Sequence, residues 1–100
     1  MPVKLLMMWD ILPNREQEYF EFVVGEFIPE IKVLGIKPVD AWYTMYGQAP
    51  QITVSAKAES QAELEAVMAS SEWDRLVNDL LDYVEDFSYK IVPARPGFQL

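Results

Sequence analysis

The sequence contains no cysteine and no histidine, and four glycines in 100 residues. Without thiols there is no disulfide, no thiolate nucleophile and no iron–sulfur ligand set. Without imidazole the usual zinc and haem ligands and the Ser-His-Asp triad are missing as well. Basic residues are scarce: eight Lys and Arg stand against sixteen Asp and Glu, a formal charge of −8. A chain with that balance is a poor partner for nucleic acid or anionic lipid, both of which need a field of the opposite sign. Lys4, Lys57, Lys90 and Arg95 read as scattered, with no basic stripe. No apolar run approaches the ~20 residues that a membrane helix needs. The start, Met1 to Asp10, carries one lysine before a short apolar run and no small-residue cleavage site, so the expected location is cytoplasmic. The glycines are isolated, and no GxGxxG, Walker A or GxSxG pattern occurs.

What is present is a large apolar complement. Hydrophobic residues make up 51%, with five Phe, five Tyr and three Trp, which excludes intrinsic disorder. The length is that of one domain, spanning residues 1–100.

Val3 to Leu12 is apolar on both alternating faces and reads as a covered strand. Pro13 stops it. Asn14 with Gln17 has the spacing of a capping box. Phe20, Val23, Val24, Phe27, Ile28 and Ile31 then follow the spacing of one buried helix face, with Pro29 expected to kink or restart the helix. Gly35 suits a helix C-terminus closed by Ile36 against Ile31. Val39 to Gly47 and Gln51 to Ala58 read as the two strands of a hairpin. Ser60 and Glu63 open a short helix. The apolar phase slips at Ser70-Ser71, where Ser71 with Asp74 is the expected cap of a long helix reaching about Phe87. Ser88 to Ala94 is the expected last strand. Asp79, Asp82, Glu85 and Asp86 are expected to be a solvated helix face. The order is β-α-β-β-α-β, the ferredoxin-like α+β pattern, with strands ordered 4-1-3-2 and both helices on one face of an antiparallel sheet.

The helix-facing sets are then Val3, Leu5, Met7 and Trp9; Val39, Ala41, Tyr43 and Met45; and Ile52, Val54, Ala56 and Ala58. The opposite face carries Leu6, Met8, Asp10, Trp42, Thr44, Tyr46, Thr53 and Ser55, with Lys90 or Val92. Leu6, Met8, Trp42 and Tyr46 together form an apolar patch of the kind that marks an interface or a groove. Two such sheets facing one another cover it and leave a space lined by aromatics, hydroxyls and a carboxylate.

The opening Trp9-Asp10-Ile11-Leu12-Pro13 followed by Glu16 to Val24, and the later Ser71-Glu72-Trp73-Asp74-Arg75-Leu76, resemble the dimeric α+β barrel superfamily. That superfamily includes NIPSNAP-type proteins, antibiotic-biosynthesis-type and haem-degrading monooxygenases, and stress-responsive barrel proteins. The resemblance spans nearly the whole chain as an order of elements. It implies a homodimer whose sheets close a barrel, and a cofactor-independent monooxygenase- or isomerase-like activity. Pro13-Asn14 stands where relatives often have Pro-Gly. The pocket histidine of several enzymatic relatives has no counterpart, which counts against haem chemistry.

The expected ligand-binding residues are Met8, Asp10, Trp42, Thr44, Tyr46 and Ser55, holding a small apolar or aromatic ligand with no cofactor and no metal. Asp10 is the candidate catalytic group, because desolvation of a carboxylate at the end of an apolar strand suits general acid–base work. The competing reading is a non-enzymatic dimer whose interior is filled by these side chains. Phe98 and Leu100 are costly to leave in water, so the tail is expected to dock, on its own subunit or across a dimer.

Overall fold

One strand face organises the molecule. In β1 (Val3–Ile11) the residues Val3, Leu5, Met7, Trp9 and Ile11 are all buried, while those between them are half-buried or exposed. The computed structural model describes residues 1–44 and 50–93. After β1 come α1 (Glu16–Phe22), a π-helical turn (Val23–Phe27) and α2 (Ile28–Val33), then β2 (Lys37–Tyr43) and β3 (Ile52–Ala58). The chain continues through α3 (Gln61–Met68) and α4 (Ser71–Leu80) to β4 (Val84–Pro93). The strands form an antiparallel sheet ordered β2-β3-β1-β4. This is the expected ferredoxin-like α+β topology. No helix among the described residues is long and apolar enough to cross a membrane.

The register assigns the faces. Ala41, Val54, Met7 and Tyr89 form one row across the sheet, and Pro38, Ala56, Leu5 and Ile91 another, both on its helix side. On the other side run Trp42–Thr53–Met8–Ser88 and Asp40–Ser55–Leu6–Lys90. A third row on that open side holds Lys37, Lys57 and Lys4 beside Val92. The lysines are therefore not scattered: four of the eight basic residues share one end of the open face. Strand pairing brings together positions far apart in the chain, such as Lys4 and Lys57, which no linear reading of charge detects.

Several local expectations are corrected. Asn14 does not cap the first helix. It sits at φ 66°, Arg15 N–H donates to the Leu12 carbonyl at 3.2 Å, and Arg15 occupies the cap position with no side-chain cap bond. Leu12-Pro13-Asn14-Arg15 thus has the sequence and φ of a type II turn, whose third residue needs the left-handed region that Asn tolerates. Pro29 stands in the first turn of α2, where the α-helix restarts after the π-helical turn as expected. Backbone angles stay helical through Phe27 and Ile28, and Ile28 N–H reaches back to the Val23 carbonyl, five residues away. The wide turn absorbs the donor and space that proline removes. It also shifts the phase, so the core face is Tyr19, Phe22, Phe27 and Ile31, while Phe20 and Val24 are 52% and 70% exposed.

Ser70, not Ser71, caps α4, its Oγ accepting from Trp73 N–H at 3.3 Å. α4 ends at Leu80, and β4 begins at Val84 instead of Ser88. A bulge explains the misreading. Asp86 lies at φ 56° and the β1–β4 register shifts between Met8 and Asp10. The extra residue puts Val84 and Phe87, three apart, on the same face, which imitates helical spacing. Consequently Asp79 alone of the expected acidic helix face lies on α4, where it pairs with Arg75 at 3.4 Å. Strand β2 starts at Lys37, two residues before its expected start, and Val39 occupies a bulge between Pro38 and Asp40. The expected inward Met45, the strand end at Gly47 and the docking of Phe98 and Leu100 lie outside the described residues.

The expected close at Gly35 is present. Ile36 N–H donates to the Ile31 carbonyl at 2.9 Å and Gly35 N–H to Lys32 at 3.0 Å, with Gly35 at φ 99°. A Cβ there meets nothing within 4 Å, so the cost of adding one is purely backbone. Urea unfolding of Gly35→Ala should show a loss of about 1–2 kcal/mol. Asp86→Gly, which relieves the same kind of strain, should leave stability unchanged or raise it.

Candidate functional site

The first helix carries more apolar surface than its core contact uses. Beside the buried Tyr19, Phe22, Phe27 and Ile31 runs a second stripe, Phe20, Val24 and Ile28, spaced four apart. This second stripe faces β2. As an edge strand with a bulge at Val39, β2 leaves its helix-side residues uncovered, and Tyr43 is 56% exposed. Between helix and strand lies an open groove of about 520 Å³. Its walls are Phe20, Val23, Val24 and Ile28 on the helix and residues 38–43 of β2, and its lining also includes Tyr19, Ile52 and Val54. Asp40 is the one charged residue in that lining. Among the described residues no group of three His, Cys, Asp or Glu is placed to hold a metal.

The inner end of the groove is set by a hydrogen bond through the core. Trp9 is fully buried, and its Nε1–H donates to Tyr19 Oη at 2.9 Å. The same indole stacks on Phe87 at 6.0 Å and meets Phe27 edge-on at 6.1 Å. Burial pushes the Tyr19 phenol above its ordinary value, and the bond from Trp9 opposes that only in part. Tyr19 is therefore a neutral hydroxyl at any physiological pH.

Beside the groove residue Tyr43 stands Gln51. Its backbone N–H donates to Asp10 Oδ1 at 2.8 Å, and its side-chain Oε1 accepts from Ile11 N–H at 2.8 Å. Its Nε2 donates to Tyr43 Oη at 3.1 Å, and its carbonyl accepts from Thr44 N–H at 2.8 Å. One residue thus ties the ends of β1, β2 and β3 together.

The residues singled out from sequence do not form one cluster. Met8, Trp42 and Ser55 share the open sheet face, with Ser55 buried, Met8 half-buried and Trp42 53% exposed. Trp42 also borders the groove. Asp10 is half-buried at the far end of β1 and holds the Gln51 amide. Thr44 is half-buried just past β2, and Tyr46 lies outside the described residues. The cavity that is present lies on the helix side of the sheet, away from the face on which a pocket was expected. Phe20, Val24 and Ile28 had been taken as core. The available signal was their alternation with Tyr19, Phe22 and Phe27, which makes the apolar arc too wide for one contact.

Comparison with solved structures places this architecture. A NIPSNAP family protein from Agrobacterium tumefaciens str. C58 superposes with a TM-score of 0.70 at 17% identity, over 96% of this chain and 95% of its own. The fold is that of the NIPSNAP proteins. An ethyl tert-butyl ether d (EthD) family protein from Bacillus halodurans C-125 gives 0.73 at 14% identity, over 95% and 100% of the two chains. A dimeric protein of ferredoxin-like fold and unknown function from Bacteroides fragilis gives 0.61 at 13% identity, over 93% and 96%. No family model matches the chain, and no curated protein sequence matches it. The NIPSNAP-like fold is thus carried by a pattern of burial and spacing, with few identical residues.

Tyr19→Phe should lower stability by about 1–3 kcal/mol in urea unfolding, since it leaves the buried Trp9 N–H without an acceptor. The pH dependence has a definite sign. A phenol whose folded pKa is raised above 10.0 contributes fully below pH 10 and loses its contribution as the pH climbs through the folded value. The wild-type protein should therefore lose stability in alkali more steeply than Tyr19→Phe, as followed by denaturant midpoints from pH 8 to about pH 11.

Proposed function

We propose that this protein is a small-molecule-binding domain that works as a homodimer, with an apolar ligand in the helix–β2 groove and a second copy over the open sheet face. The observation that carries the reading is the groove itself. At about 520 Å³ it falls within the roughly 300–1,000 Å³ of ligand sites. Its walls combine aromatic and aliphatic side chains with two hydroxyls, Tyr19 and Tyr43, the usual make-up of a site for an organic molecule. A groove kept apolar and open on a monomer of charge −8 is a standing cost to solubility, and occupation removes it.

Support for the second copy comes from the other side of the sheet. Leu6 and Met8 are half-buried there and Trp42 is half-exposed, an apolar centre that no helix covers. The similar protein from Bacteroides fragilis is described as dimeric. In such a pair Met8, Trp42 and Ser55 line the space between the sheets, with Asp10 and Thr44 towards one end. Asp10 uses its carboxylate on the Gln51 amide, which favours a structural part for it over proton transfer.

Titration with the neutral dye Nile red tests the groove. Val24 is an exposed helix residue, so Val24→Trp should fold normally while filling the groove, and it should weaken dye binding about ten-fold. Equal affinity for the two proteins would remove the reading. Sedimentation equilibrium should show a dimer for the wild type and a shift toward monomer for Trp42→Glu. A wild type that stays monomeric at all concentrations would sink the second half of the proposal.

A further inference from the structure

Building on the groove reading, we infer that Tyr19 is its specificity-determining hydrogen-bond donor and that the ligand is a neutral apolar molecule presenting a carbonyl oxygen, such as an aryl ketone, and not a carboxylate.

A phenol has one proton to give and lone pairs to accept with. Trp9 has only a donor and is fully buried, so its Nε1–H takes a lone pair of Tyr19 Oη, at 2.9 Å. What remains is the hydroxyl proton. Among the described residues no group accepts it, although the Tyr19 side chain is almost fully buried. A buried donor without an acceptor is a standing cost of folding that a matching ligand atom can remove. Tyr19 is among the residues that line the groove.

The charge of the walls narrows the class further. Among the described residues no Lys or Arg lines the groove, and Asp40 adds a negative charge to its lining. A carboxylate or phosphate there has no counter-charge and loses its hydration, whereas a carbonyl oxygen gives up little and gains the Tyr19 proton. Tyr43, the other hydroxyl in the walls, is already bonded to Gln51 Nε2 and is well exposed, so water competes with any ligand for it. The discrimination therefore falls to Tyr19. The ring stays protonated because burial raises its pKa, which keeps it a donor over the whole working range of pH.

Three matched probes decide the matter: 2-acetylnaphthalene, its alkene isostere 2-isopropenylnaphthalene, and 2-naphthoate. Affinities are read by displacement of Nile red from wild type and from Tyr19→Phe. The wild type should bind the ketone about five-fold more tightly than the alkene and the carboxylate most weakly. Tyr19→Phe should bind ketone and alkene alike, at the level of the wild-type alkene. The infrared carbonyl stretch of the bound ketone should lie at lower frequency in wild type than in Tyr19→Phe. If the wild type shows no preference for the ketone, if Tyr19→Phe keeps that preference, or if naphthoate binds best, the inference about Tyr19 is wrong while the groove stands. If neither neutral probe binds, the groove reading fails and takes this inference with it. Should Tyr19→Phe not fold, the ketone–alkene ratio and a carbonyl band shifted from that of the ketone in hexane decide the question on wild type alone.

Discussion

The indole of Trp9 holds the two layers of this protein in one relation to each other. It stands on an inner strand of the sheet with no access to solvent, and its N–H must find an acceptor. The acceptor is Tyr19 in α1. That bond sets the rotation of the helix about its own axis. With Tyr19 turned inward, Phe22 follows it, and the π-helical turn carries the same face on to Phe27 and Ile31. The adjoining stripe of Phe20, Val24 and Ile28 is then turned toward β2. The groove is a consequence of this rotation: a helix with two apolar faces, one of which has the core and the other an uncovered edge strand.

Proline at position 29 gains meaning in the same frame. A regular α-helix would place its ring against the Gly25 carbonyl and leave that carbonyl unbonded. Widening the preceding turn removes the conflict, and the one-residue phase shift brings Phe27 back to the core. The aromatic cluster of Trp9, Tyr19, Phe22, Phe27 and Phe87 closes only because of that shift. π-turns of this kind often accompany functional sites, and here the turn's Val23 and Val24 form part of the groove wall.

The open side of the sheet is divided in character. Its middle is apolar through Leu6, Met8 and Trp42, while one end carries Lys4, Lys37, Lys57 and Lys90 in adjoining rows. Like charges facing one another across strands are mildly destabilising, and no helix among the described residues covers the apolar centre beside them. Gln51 holds the opposite end rigid by joining Asp10, Ile11, Tyr43 and Thr44. A surface built this way is poorly suited to bare water and is braced by its own hydrogen bonds.

Much of the fold was legible in the sequence. Alternation in residues 3–11 and 52–58, the caps at Ser60 and Gly35 and the order of elements are local properties, set by the two-residue and 3.6-residue repeats of strand and helix. They were enough for a ferredoxin-like sandwich with Val3, Leu5, Met7 and Trp9 under the helices. The candidate site was legible only in fragments: Trp42 borders the groove, but Phe20, Val24 and Tyr19 were not assigned to it. The bulge at Asp86 made Val84 and Phe87 look helical, and the lysine row was invisible, because strand pairing and its irregularities join distant residues. The sequence by itself determined the order of helices and strands and which face of the central strand is buried. The rotation of the first helix, the uncovered edge of β2 and the single unclaimed proton of Tyr19 were decided only in three dimensions, since each depends on which distant group satisfies a buried polar atom or covers an apolar one.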